Sequence, residues 1–292
     1  MKHADVAVIG AGIAGLAMAY HLARQGNKVV LFERNSRALG ASIRNFGLVW
    51  PIGQQAGLHY SRAMASRRIW KELSAATGLE CNETGSLHLV YAKDELAVLE
   101  EFVQAAPANG YACELLTPAQ VTARSRAVKT TGLLGAMYSS TEMTVNPREA
   151  SALIAACLQQ QWGVTMRFNT AVNSISMPYI QTADEQWKIN RVFVCSGADF
   201  ETLYPQAFAQ TALIKCKLQM MRTIPQPNRW QLGPALCAGL TLLHYSAFSS
   251  CASLPALRQR LQEQMPAHLQ WGVHVLVSQN GAGELTLGDS HE

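Results

Sequence analysis

Gly10, Gly12 and Gly15, spaced G-x-G-x-x-G, and Glu33, about twenty positions further on, are the residues whose types and spacing point to chemistry. The pattern suits the pyrophosphate of a dinucleotide. Gly10 permits a tight turn, Gly12 puts no side chain between backbone and phosphate, and Gly15 lets the next element pack close to the preceding one. The N–H groups and positive dipole end of a helix starting here would face the phosphates. Glu33 can accept hydrogen bonds from ribose hydroxyls, and its charge argues against NADP, whose extra phosphate it would repel. The spacing does not separate FAD from NAD.

The elements that must hold these residues are legible around them. Val6, Val8 and Ile9 read as a buried strand, and Leu16, Ala19, Tyr20 and Ala23 recur at helical spacing. Gly26 and Asn27 supply a helix stop, and a second strand over 29–32 ends at Glu33. A glycine pattern that follows a strand, opens a helix and leads to a strand with a terminal acid has the context that a lone motif lacks.

Composition sets the outer bounds. The chain has 292 residues, 49% of them apolar, and a net charge of +4. That supports a substantial core in one large domain or two interleaved ones, and no basic block suggests nucleic acid. No apolar run is long enough for a membrane span. Seven scattered cysteines without a C-x-x-C point to reduced thiols and a cytoplasmic setting, with no metal site expected.

The stretch 34–53 reads as a loop at the carboxyl edge of the nucleotide sheet, where ligands bind. Arg34 can flank a ribose. Ser42, Arg44 and Asn45 lie between Gly40 and Gly47, where a flat ring system could approach closely. Helices are expected over 57–77, 93–106 (ended by Pro107), 147–160 and 254–264. Strands are expected over 85–91, 133–138, 190–199, 213–223, 240–248, 273–277 and 281–289, with a strand-pair edge over 164–175. Ser196, Gly197 and Ala198 form a small-residue turn suited to close backbone contact. The fold class expected is α/β: a three-layer, Rossmann-type nucleotide domain (1–80 and 145–212) with a discontinuous α+β substrate domain built on an antiparallel sheet (81–144 and 213–292).

The first 35 residues, the G-A-S-x-R-N-x-G loop (Gly40 to Gly47), the V-x-x-I pair (Val172, Ile175) and the V-x-V-C-S-G-A segment (Val192 to Ala198) occur in an order that resembles the D-amino-acid oxidase and glycine oxidase family of flavoproteins. The later K-L-Q-M-M-R-T, L-x-L-L-H-Y and L-G-D-S-H-E segments resemble a bacterial branch found with phosphonate-breakdown enzymes. The resemblance implies FAD held at Gly10, Ala11, Gly12, Ile13, Ala14 and Gly15, with ribose at Glu33 and Arg34. It implies a loop of Ala41, Ser42, Arg44, Asn45 and Gly47 passing by the flavin, adenine meeting Val172, and Ser196 and Gly197 beside the glycine turn. Family members oxidise a small amine or amino acid by hydride transfer to flavin and pass electrons to molecular oxygen or another acceptor. That chemistry belongs to the cofactor, so no catalytic residue is singled out. His244 and Tyr245 are the candidates for a substrate cavity. Relatives usually run well past the position of Glu292, so a shortened, catalytically impaired form is one alternative reading. An NAD-dependent dehydrogenase is the other, and the Gly40–Gly47 loop stands against it.

Overall fold

The computed structural model describes residues 1–292. The chain forms two units: residues 1–45, 75–79 and 147–215 make the first, and residues 46–74, 80–146 and 216–292 the second. The fold is α/β with mixed sheets. Residues 46–74, which the sequence groups with the nucleotide domain, pack with the second unit.

The first unit is built on a six-stranded sheet. Strand β1 (Lys2–Ile9) leads into helix α1 (Ile13–Arg24), which returns the chain to β2 (Val29–Phe32). After the long excursion through the second unit come α2 (Pro147–Trp162), β3 (Thr165–Arg167), β4 (Val172–Ser176), β5 (Tyr179–Thr182) and β6 (Gln186–Val194). The spatial order is β4-β5-β6-β1-β2-β3, and β6, β1, β2 and β3 run parallel while β4 and β5 join as an antiparallel meander. Alternation along β1 fixes its two faces. Ala7 and Ile9 enter an apolar cluster with Phe32, Ile180, Trp187 and Ile189, while Val8 lies under Gly15 on the α1 side. Helix α1 buries Gly15, Leu16, Ala19, Tyr20, Leu22 and Ala23, the stripe that its apolar spacing predicts.

The second unit carries a seven-stranded sheet. Its order is Leu218–Pro225, Glu284–His291, Leu276–Gln279, Ala235–Ala238, Ser86–Val90, Gly135–Ser139 and Cys113–Leu116. It is not wholly antiparallel as expected, because Ala235–Ala238 pairs parallel with Ser86–Val90. A small sheet of Leu48–Val49, Met143–Val145 and Cys81–Asn82 accompanies it. The core gathers Leu99, Phe102, Met137, Phe248 and Leu257, with the Phe102 and Phe248 rings 4.8 Å apart.

Two local expectations fail for identifiable reasons. The stretch 240–248 is not a strand: it forms the short helix Leu240–His244 and a 3-10 turn over Ser246–Ser250. A short apolar run suits either period, and burial of Thr241, Leu242, Ala247 and Phe248 against the core decides it. Pro107 does not end its helix, which spans Lys93–Asn109. A proline in the last turn forfeits one hydrogen bond, and Gly110, in the left-handed region at φ 80°, closes the helix instead.

Candidate functional site

In the first unit, the carboxyl ends of β1, β2 and β6 open onto a cleft of about 630 Å³. Eleven of the residues that the resemblance implies for FAD line it: Gly10, Gly12, Ile13, Ala14, Glu33, Arg34, Ala41, Ser42, Val172, Ser196 and Gly197. Phe32, Ala38, Leu39 and Leu203 add apolar walls.

The glycines act through contact distances. A Cβ on Gly15 would lie 1.9 Å from the Gly10 carbonyl oxygen, and one on Gly10 would lie 2.3 Å from the Cys195 carbonyl oxygen. Both positions are closed to side chains by backbone, so β1, α1 and the end of β6 approach as closely as backbone permits. Gly12 differs: its Cβ would meet only the Ser42 side chain, with the hydroxyl at 3.0 Å, on the cleft wall. Gly12 thus leaves the opening of α1, on the cleft wall, free of a side chain of its own.

Two residues take roles that sequence reasoning missed. The N-cap of helix α1 is Gly12, which has no side chain to cap it. The hydroxyl of Ser42, twenty-nine positions away, accepts the Ile13 N–H at 2.9 Å. Ser42 therefore caps the helix. Asn35 is the second. Its backbone N–H and its side-chain amide both donate to Glu33 Oε1 at 3.0 Å, while Glu33 Oε2 accepts the Ala11 N–H at 3.0 Å. Glu33 is 8% exposed and ties the glycine turn to the end of β2. The E-x-N spacing is visible in the sequence, but nothing local says which way the amide turns.

Arg34 Nη1 meets Asp199 Oδ2 at 2.9 Å on the cleft wall. Burial pushes the Asp199 carboxyl up, but hydrogen bonds from Thr202 and Glu201 and the Arg34 charge outweigh it and hold the group down at about 2. Asp199 is an anion at neutral pH. Cys195, at the end of β6, is held as a thiol by burial.

The remaining candidates lie elsewhere. Gly15 sits behind the turn. Ala11 and Arg44 line a separate cavity of about 580 Å³ with Arg37 and Arg148. Asn45 spends its amide on the loop itself, donating to the Ala41 and Ser42 carbonyls at 3.0 and 3.1 Å. Gly47, at φ 69°, belongs to the second unit, where its carbonyl accepts the Val145 N–H at 2.9 Å.

His244 and Tyr245 are also in the second unit. Their rings meet edge-on at 4.9 Å, and His244 stacks on His274 at 3.7 Å. Burial, with His274 and His291 close by, pushes His244 down to about 4, so its imidazole is neutral at pH 7. His244 lines a cavity of about 340 Å³ with Leu243, Arg258, His268 and His274. Nearby, His88 is fully enclosed with neither ring nitrogen hydrogen-bonded, between Trp50 and Phe248 at 5.6 and 5.5 Å.

No helix is long and apolar enough to cross a membrane. A family model of FAD dependent oxidoreductases matches residues 5–246. One of the subunits of opine oxidase from Rhizobium meliloti is 27% identical over 258 residues, covering 82% of this chain and 68% of that protein. The mitochondrial pyruvate dehydrogenase phosphatase regulatory subunit of Mus musculus is 26% identical over 172 residues, 58% of this chain but only 19% of that protein. The crystal structure of glycine oxidase from Geobacillus kaustophilus shares the fold with a TM-score of 0.72 at 17% identity, covering 100% of this chain and 72% of that one. With a family model matching residues 5–246, most of its length, this chain belongs to the FAD dependent oxidoreductases.

Proposed function

We propose that the chain oxidises a small amine or amino acid, with an aminoalkylphosphonate as the substrate class suggested by the resemblance of its later segments to a phosphonate-associated branch. The observation that carries the cofactor side is the bare backbone at Gly12 on the wall of the first unit's cleft, where the only obstacle to a side chain is one serine. These residues fit FAD. Gly12, Ile13 and Ala14 would face the pyrophosphate, Glu33 and Arg34 the ribose, and Val172, Ser196 and Gly197 the adenosine side of the cleft. When bound, FAD supplies two-electron oxidation of a carbon–nitrogen bond. The chain's own work is to hold the cofactor, keep Asp199 ionised beside it, and exclude water with Phe32, Ala38 and Leu203.

The test is to purify the chain and measure bound flavin by absorbance. FAD is then added, and flavin bleaching is followed anaerobically with glycine, proline and aminoethylphosphonate. Retained flavin that bleaches with one of them supports the reading. A chain that takes up no FAD, or whose flavin none of these or related amines reduces, overturns it.

A further inference from the structure

The second unit holds a cluster of metal-type ligands that the flavin chemistry does not use. His274 precedes the strand Leu276–Gln279, and Asp289 and His291 end the neighbouring strand Glu284–His291. The backbone sets His274 directly opposite Asp289: His274 N–H donates to the Asp289 carbonyl at 3.2 Å, and Asp289 N–H donates to the His274 carbonyl at 2.9 Å. Asp289 and His291 are two apart on one strand and so share a face. The pairing brings three donors together. Asp289 Oδ1 lies 3.2 Å from His274 Nδ1, and Asp289 Oδ2 lies 3.7 Å from His291 Nε2. One donor atom from each of the three lies within 4.8 Å of the others.

The surroundings show what the cluster lacks. Asp289 Oδ1 is buried and has no hydrogen-bond donor. A buried carboxylate oxygen without a donor faces two imidazoles, and His274 Nδ1, which also lies 3.3 Å from the Gly272 carbonyl, would exchange that contact for the ion or present its other ring nitrogen. Two imidazole nitrogens and one carboxylate oxygen suit zinc and its first-row neighbours, whereas calcium and magnesium favour oxygen ligands throughout. His274 also faces the 340 Å³ cavity with Arg258 and His268, so a position on the ion would be open to a small ligand.

We infer that His274, Asp289 and His291 form a binding site for a divalent first-row transition ion of the zinc type. The site lies within the second unit, and its existence does not rest on the flavin reading.

The test uses the full, tag-free chain, treated with a chelator and then titrated with Co2+ in the presence of FAD, with Zn2+ as competitor. One Co2+ per chain is expected, with ligand-field absorbance that Zn2+ abolishes. His291→Ala removes a partly exposed ligand and should leave the circular dichroism unchanged. It should weaken Co2+ binding by more than the roughly tenfold to hundredfold that loss of an outer-shell partner costs. Asp289→Asn keeps the side-chain shape and should do the same. His268→Ala, outside the cluster, should bind as the parent does. A parent chain that binds no Co2+, or binding that survives both ligand substitutions, overturns the assignment and leaves an ion-free His–Asp–His contact.

Discussion

The Glu33 carboxylate accepts the backbone N–H of Ala11 at 3.0 Å, joining the end of β2 to the glycine turn across twenty-two positions of sequence. Its other oxygen takes two hydrogen bonds from Asn35. One side chain thus shapes that turn and stands on the wall where a ribose would lie. Glu33→Ala should lose a charge-assisted hydrogen bond to the cofactor worth about 1.5–3 kcal/mol. That is roughly a tenfold to hundredfold loss of FAD affinity. Because the Ala11 contact exists without flavin, the variant should also melt earlier in the flavin-free state. Fluorescence-quenching titrations and thermal melts of both proteins check this, and unchanged values in both would remove Glu33 from the site.

Gly12 and Gly15 should respond differently to the same added methyl group. At Gly15 the methyl meets the Gly10 carbonyl, which has nowhere to go. Gly15→Ala should therefore destabilise the fold by about 1–3 kcal/mol, as overpacking does. At Gly12 the neighbour is the Ser42 hydroxyl, which can give. Gly12→Ala should melt close to the parent yet bind FAD markedly less well. Denaturant melts beside flavin titrations separate the two effects, and parent-like FAD affinity in Gly12→Ala would count against pyrophosphate at Gly12.

His88 makes stability pH-dependent. Histidine titrates near 6.5 in an unfolded chain, and burial holds the folded ring down at about 3. Between those values the unfolded chain binds a proton that the folded chain refuses. Its contribution is therefore intact above about pH 6.5 and shrinks as pH falls, by up to about 1.4 kcal/mol per pH unit. His88→Leu removes the titration and two unpaired ring nitrogens. Its stability advantage over the parent should grow by about 2 kcal/mol between pH 7 and pH 5. Urea unfolding at the two pH values tests this, and a gap that does not widen contradicts it.

Glu142 is wholly buried, accepting the Ile52 N–H at 3.0 Å, the Thr141 hydroxyl at 2.7 Å and the Ser86 hydroxyl at 3.0 Å. Burial raises its carboxyl above the usual range against the pull of those donors. Glu142→Ala should be severe, at about 1–3 kcal/mol for each buried donor left unpaired. Glu142→Gln keeps an acceptor oxygen in place and should cost much less. Parallel melts of the two variants give the comparison, and equal losses would show that the volume and amide oxygen kept by glutamine do not replace the carboxylate.

The glycine turn is legible in the sequence because its constraints are local: a turn, a close approach and a helix start each leave a residue type at a fixed spacing. The small-residue stretch around Ser42 gives no sign in the sequence that it caps α1, since the hydroxyl reaches Ile13 only once the loop folds back. His244 and Tyr245 stand out as a pair, while the residues that complete their surroundings do not. His274 meets Asp289 through strand pairing, and no spacing signals a pairing between strands joined by a turn several residues long. The run around Leu242 suggests the wrong period because its burial comes from contacts distant in sequence.

The parallel partnership of β1 and β6 has a consequence for how the chain is made. Lys2 pairs with Trp187, and Ile9 with Val194, so about 185 residues of synthesis separate β1 from its inner neighbour. At translation rates of roughly 5–20 residues per second, that interval is on the order of ten to forty seconds. Throughout it the apolar β1 has β2 on one side and an open edge on the other. β1 is therefore made well before the strand that covers its edge, and for that interval the edge is open to unwanted partners.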